Sequence, residues 1–233
     1  MNKDIIKLIA MITMTINHIA IVFMKPDSWI YYLLCGIGYF TGIVMVDFLL
    51  SGYHQTKSRK KYFLRLLLFG VISQIPYAYA FTQNGGRLNM LFSLCICFVI
   101  IWALEEADNK IYQVIIITLA FIVSFYCDWP LLAPLLTLLL YFGEKSPEKK
   151  LLLQGVFVVV FWGLQFLDGQ ETFSLSTNLK YSTLSIVGVV IAFGVLNCLY
   201  DSKSKRGRSV FLKWFFYLFY PLHLLIIGIA ERM

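Results

Sequence analysis

Nine apolar runs, each divided from the next by a short polar or charged connection, set the terms on which this chain folds. They fall at about residues 4–24, 29–52, 62–81, 88–104, 111–126, 130–143, 151–167, 182–200 and 210–230. A perpendicular membrane helix needs roughly 20 apolar residues. Several of the middle runs are shorter, so tilted or re-entrant segments are expected among them and the count lies between eight and ten. Apolar residues make up 59% of the chain and charged ones 14%, against roughly 25% charged in ordinary globular domains. Mean hydropathy is +0.75. A chain of 233 residues has too little interior to hide that much apolar surface from water, so lipid must surround it. The expected fold class is therefore all-α, a polytopic membrane protein of about nine helices in a single domain, 1–233. A disordered tail, a secreted disulfide scaffold and a cytosolic enzyme are excluded.

The net charge of +7 is a topology signal and no sign of nucleic-acid binding, because the cations cluster between the apolar runs. With nine helices threaded, Lys3, Lys7, the 57–61 run, Lys110, the 145–150 run and the 203–208 run fall on one side. Asp27, the 84–87 loop, Asp128 and the loop from Asp168 to Lys180 fall on the other. The positive-inside rule then places the amino terminus in the cytoplasm and the carboxyl terminus outside the cell membrane. Aromatic residues such as Trp29, Tyr32, Tyr77, Trp129, Tyr181 and Trp214 flank many run ends, as interfacial belts do. The first run follows a lysine as a signal peptide would, but it lacks a small-residue cleavage site and carries Asn17 and His18, which reads as a retained helix. The five cysteines lie in or beside apolar runs without metal-site spacing and read as small buried residues, with no metal expected.

A polar side chain in lipid is costly and needs a partner or a task. Lys7, His18, Asp47 and His223 stand out, with Arg65 and Asn89 close behind. Lys7, Met11, Met14 and His18 are spaced by four, three and four residues and share one helical face. Eleven residues at 1.5 Å put His18 about 16 Å deeper than Lys7. His223 lies about 20 Å into the last helix, so the two histidines are expected at matching depth and able to meet. Asp47 and Arg65 sit near the inner ends of their helices and are expected to join Lys7 in a polar cluster at the cytoplasmic mouth. Plainer readings stand beside these. The histidines suit interhelical packing, Lys7 suits snorkelling to the headgroups, Asp47 suits a structural ion pair with Arg65 or Lys7, and the methionines suit core packing. A cationic mouth leading to a mid-membrane histidine suits an anionic carrier with a long arm. The pantetheine of coenzyme A, with a reach of about 15 to 20 Å, is one.

The runs Ile6 to Ile19, Ser51 to Thr56, Lys61 to Leu66, Ser73 to Tyr77, Leu88 to Phe92 and Tyr220 to Leu224 resemble the TraX family, named for the pilin N-acetylation factor of conjugative plasmids. More distantly they resemble the transmembrane acyltransferase superfamily, which includes envelope O-acetyltransferases and the lysosomal heparan glucosaminide N-acetyltransferase. The stretch from about 105 to 205 carries nothing diagnostic. The resemblance implies a basic residue and a histidine eleven positions later on Lys7 and His18, and the basic motif of a third helix on Arg65. That pattern often has aspartate directly before the histidine, where this chain has Asn17. Asp47 is then the one carboxylate expected inside a span.

Residues and resemblance together lead to an expected acyltransferase. It would take acetyl from cytoplasmic acetyl-CoA and pass it to an amine or hydroxyl on an acceptor peptide or envelope molecule. His18 would be the general base or, equally compatible, a covalent acetyl carrier. Asn17 or Asn89 would donate to the developing oxyanion. Lys7, Arg65 and Asp47 would hold the donor, and Asn89 and His223 would meet the acceptor. The competing readings are a small-molecule or proton-coupled transporter with His18, Asp47 and His223 as relay, and an accessory membrane protein without chemistry.

Overall fold

A computed structural model describes residues 1–82, 86–200 and 210–233, with side chains described outside 210–213. The connection at 83–85 and the basic run at 203–208, both used above to read topology, lie outside the described residues. Ten α-helical segments are seen among those described: α1 Lys3–Phe23, α2 Trp29–Gln55, α3 Arg59–Ala80, α4 Met90–Glu106, α5 Lys110–Ser124, α6 Leu132–Gly143, α7 Pro147–Gly169, α8 Leu175–Ser185, α9 Val187–Gly194 and α10 Val210–Ala230. A π-turn at Val195–Leu199 continues α9. Each apolar run of the sequence has become a helix, with α8, α9 and the π-turn forming the one continuous piece Leu175–Leu199. Among the described residues, five helical pieces are long and apolar enough to cross a bilayer: α1, α2, α3, α7 and Leu175–Leu199.

The helix starts are written in the sequence. Asn2, Ser58, Asn89, Asn109 and Ser174 each accept a backbone N–H from the first turn of the following helix, satisfying a donor that the helix itself leaves open. Without water, such a donor would cost far more.

The chain forms two compact units. The first comprises Met1–Val44, Gln154–Phe219 and Ile229–Met233, and the second Met45–Leu153 and Tyr220–Gly228. In the first unit, α1 is tied to the first half of α2 by polar groups. Thr41 donates to the carbonyl of Ala10 at 2.5 Å, and the Thr13 and Thr41 hydroxyls lie 3.0 Å apart. The other side of α2 is approached by the α8–α9 piece through glycine. A Cβ on Gly36 would stand 2.2 Å from the Leu184 carbonyl oxygen, and one on Gly188 the same distance from the Gly36 oxygen. Small residues let membrane helices approach backbone to backbone, which is where dispersion gains arise when lipid removes the hydrophobic incentive to associate. Fully buried Phe157 and Phe161 of α7 complete this core.

In the second unit α4 packs on α3, α5 and α6 around fully buried Leu49, Leu50, Ile100, Ile101 and Leu136. The shortness of α4 has a visible cause. Its N-cap, Asn89, donates to the carbonyl of Gly70 at 2.8 Å, and its backbone N–H reaches Gln74 Oε1 at 3.0 Å. Those α3 residues lie six to ten positions before Ala80, so the incoming chain runs back along α3 by about 9 to 15 Å before helix resumes. Leu88 there pairs with the α5–α6 connection: its N–H reaches the Tyr126 carbonyl, and its carbonyl accepts from Asp128 N–H, both at 2.8 Å. Two stretches of non-helical backbone thereby satisfy each other within protein, the setting in which such backbone is tolerated away from water.

Candidate functional site

The face expected on α1 is present. Met11, Met14 and His18 are buried, at 3%, 8% and 8% exposure, and Lys7 is half-buried. The Lys7 ammonium lies over the ring of Phe216, 4.9 Å from its centre, so its stem crosses apolar surface while its charge meets a π-face. Asn17 is set by geometry. Its Nδ2 donates to the Cys35 carbonyl at 3.0 Å, and its side chain occupies the space a Cβ at Gly38 would fill. One amide hydrogen of Asn17 is thus committed to holding α1 on α2, and the neighbouring His18 is carried to a fixed height five residues before α1 ends at Phe23.

The second unit holds Asp47, Arg65, Asn89 and His223. Asn89 is fully buried, and its Nδ2 serves both Gly70 and Gln74. Both amide hydrogens are spent on seating α4. His223 is buried at 6% exposure, its ring centre 5.6 Å from that of Tyr220. Arg65 lies over Tyr62 at 5.8 Å, and its buried Nε has no hydrogen-bond partner among the described residues. A guanidinium nitrogen left in that state is a donor awaiting an acceptor. Asp47 is half-buried and belongs to a titratable group at one end of this unit. His54 stands 3.5 Å from Glu105 and 3.8 Å from Glu144. Burial pushes the Glu144 carboxyl up, His54 pulls it down, and Asp47 adds to the upward push. Arg59 pairs with Glu106 nearby.

Sequence reading missed the residues around Asp128. This aspartate, placed on an outer loop by its flanking runs, lies on the connection that pairs with Leu88, and it is half-buried. Burial raises its carboxyl to about 6, opposed by the Trp129 N–H and by Arg87. Trp129 and Leu131 beside it have φ of 59° and 60°, and Leu131, at ψ −37°, is the centre of a tight turn in which Leu132 N–H reaches the Pro130 carbonyl; positive φ costs a bulky side chain of order 1 kcal/mol or more. Tyr220 stands within electrostatic reach of Asp128 and Tyr77, against the backbone N–H of Met90 at the start of α4. The hydroxyls of Tyr220 and Ser73 are buried without a geometrically sound hydrogen bond. The one signal available was the Asp-Trp-Pro sequence 128–130, a turn in any fold, which says nothing of burial. Among the described residues no His, Cys, Asp and Glu side chains gather to hold a metal.

Helices of this length and apolarity, with polar side chains buried in both units, define an all-α multi-pass membrane protein. The chain belongs to the TraX family: it matches the family described as TraX protein over residues 2–231. It is 30% identical over 243 residues to the probable fimbrial assembly protein FimC, serogroup H1, of Dichelobacter nodosus, covering 97% of this chain and 94% of that one. It is 25% identical over 235 residues to Protein TraX of Escherichia coli, covering 97% and 86%. No solved structure matches.

Proposed function

We propose that this protein is a membrane-embedded acetyltransferase that draws acetyl-CoA from the cytoplasm and acetylates an amine or hydroxyl on an acceptor peptide or envelope molecule. One observation carries the reading: buried His18 ends a face of α1 that begins with the cation Lys7. The family resemblance supports it, and the fimbrial assembly protein among the relatives favours a fimbrial subunit as the acceptor. About nine spans, with the amino terminus inside and the carboxyl terminus outside, bring the donor from the side of Lys7 and Arg65. A reporter fused after Lys61 is expected to read cytoplasmic and one between Asp168 and Lys180 external; the reverse would invert the donor's side.

In the proposed step the acceptor nitrogen or oxygen attacks the thioester carbonyl carbon. His18 takes the proton from the attacking atom as the new bond to the acyl carbon forms, and the C–S bond breaks. His18 then returns the proton to the coenzyme A sulfur. An imidazole suits both transfers because its ordinary pKa lies near neutrality. Asn17 keeps one amide hydrogen for the developing oxyanion. Lys7, Arg65 and Asp47 belong to the donor's end of the reaction and His223 to the acceptor's. The open Nε of Arg65 fits an anionic donor.

Titration of the detergent-purified protein with acetyl-CoA, read by thermal shift, tests the reading. Arg65→Ala is expected to weaken binding about tenfold or more at low salt and less at high salt, since ions screen a phosphate contact. Normal binding by a folded Arg65→Ala protein would make Arg65 an anchor for its helix end. No binding by the wild type would remove the acetyltransferase reading.

A further inference from the structure

The first unit contains a cavity of about 180 Å³ at the end where α1 gives way to α2 and α7 to α8. A single water needs roughly 10 to 15 Å³ of such space, so the cavity admits a much larger group. Its wall is braced by three aromatic rings. Tyr32 of α2 and Tyr181 of α8 stack at 4.3 Å, and Phe173 of the α7–α8 connection stands edge-on to both, at 5.8 and 5.1 Å. Both tyrosine hydroxyls donate to the α1–α2 connection, Tyr32 to the Pro26 carbonyl and Tyr181 to that of Asp27. Gly169 leaves the room that the Asn178 amide fills, and Asn178 donates to the Phe166 carbonyl at 2.8 Å. A wall fixed in this way lowers the ordering cost of binding.

The polar lining carries one charge and several neutral donors. Asp168 stands exposed at the mouth, within electrostatic reach of Tyr32. It has no ion pair among the described residues, whose salt bridges all lie elsewhere. No lysine, arginine or histidine among the described residues lines the cavity. Gln165 spends one amide hydrogen on the Tyr39 hydroxyl and Asn178 spends one on Phe166, which leaves their second amide hydrogens and the Thr172 hydroxyl as donors. A simple cation would leave those donors unused. A simple anion would meet the Asp168 carboxylate with no lining cation to offset it. A zwitterion, with an ammonium and an anionic oxygen group a few bonds apart, satisfies both halves.

The surroundings add an apolar requirement. Exposed Leu164 and Leu167 stand on α7 beside Gln165 and Asp168, and exposed Leu175 and Leu179 stand on α8 beside Asn178. Leu164 lies four residues before Asp168, and Leu175 four before Leu179, so apolar rows lead along each helix at the cavity. In a multi-pass membrane protein such outward rows meet acyl chains, and aromatic residues at helix ends sit at headgroup level. We propose that this cavity seats the headgroup of an ethanolamine phospholipid, its ammonium paired with Asp168, its phosphate held by Thr172, Gln165 and Asn178, and its acyl chains laid along the exposed leucines. The site goes beyond the acetyltransferase reading and does not rest on it. Ser185, at the base of the cavity, packs against Gly36 of α2, and the next residue back, Cys35, supplies the carbonyl that holds Asn17. An occupied cavity therefore braces the helix pair that positions Asn17 and His18.

The test titrates the full-length protein in detergent micelles and counts bound molecules by native mass spectrometry. The probes are phosphatidylethanolamine, phosphatidylcholine and phosphatidylglycerol with identical acyl chains, soluble glycerophosphoethanolamine, and the peptide alanyl-glycyl-glycinamide. Phosphatidylethanolamine is expected to bind tightest. Phosphatidylcholine, whose nitrogen has no N–H to donate, should bind severalfold more weakly, and anionic phosphatidylglycerol at least about tenfold more weakly. Asp168→Asn should weaken phosphatidylethanolamine at least about tenfold while leaving phosphatidylglycerol unchanged or tighter, because the same carboxylate attracts one headgroup and repels the other. Thr172→Val, which removes a phosphate donor, should weaken both by severalfold. Equal binding of the three lipids, an unchanged Kd in Asp168→Asn, or an equal loss of all three lipids in that variant would overturn the proposal. Glycerophosphoethanolamine binding as tightly as the lipid would overturn it in favour of a soluble zwitterion, and tighter binding of the peptide in favour of a peptide site.

Discussion

Replacing His18 with alanine is expected to leave a folded protein that binds acetyl-CoA within severalfold of the wild type and transfers acetyl about 10² to 10⁴ times more slowly, the range for removal of a general acid or base. The expectation follows from where the side chain sits. His18 is buried on the α1 face that begins with Lys7, while α1 is tied to α2 by Thr13, Asn17 and Thr41. The helix pair therefore keeps its clamps when the imidazole is removed. A packing histidine behaves in the opposite order. Its loss would lower the melting temperature first and reduce activity only in proportion to the unfolded fraction. Measuring melting, acetyl-CoA affinity and transfer on one preparation separates the two, and near-normal transfer would end the catalytic assignment. His223→Ala is the comparison, with a smaller loss expected because its motif support is weaker than that of His18.

The helices were legible because lipid imposes a simple code, in which long apolar runs become helices and polar breaks end them. The run at 29–52 became Trp29–Gln55 and the run at 151–167 became Pro147–Gly169. The α1 face was legible for the same reason, since a period of 3.6 residues fixes which side chains share a side. Commitments of individual polar atoms were not. Asn89 has the residue type of an oxyanion donor, yet its amide is consumed by Gly70 and Gln74, which depends on a backbone path no periodicity encodes. Asp128 was read only as an outer connection because it falls between apolar runs. Its burial comes from a pairing with Leu88, forty residues away in sequence, and local pattern carries no record of such pairings. The pairing of Tyr32 with Tyr181 was hidden likewise, since both flank apolar run ends as interfacial belt residues do, and their stacking joins helices far apart in the chain.

Asp128 yields the second large effect, on stability. Its carboxyl is raised from 3.8 to about 6, chiefly by burial. The folded protein therefore holds this proton more tightly than the unfolded chain does, and stability falls as pH rises between those values. At 1.4 kcal/mol per pKa unit the loss is at most about 3 kcal/mol, complete a little above pH 6 and absent below about pH 4. Asparagine carries no charge at any of these pH values and retains an oxygen for the Trp129 N–H, which Asp128 Oδ1 accepts at 3.1 Å. Asp128→Asn is accordingly expected to melt at a higher temperature than the wild type at pH 7.5 and at nearly the same temperature at about pH 3.5. The wild-type melting point should fall between about pH 4 and 6.5, and the variant should flatten that stretch of the curve. Thermal unfolding in detergent across this range is the measurement. A variant less stable than the wild type at pH 7.5 would mean that the ionised carboxyl is held by an attraction stronger than the cost of its burial, and the sign of the pH dependence would reverse with it.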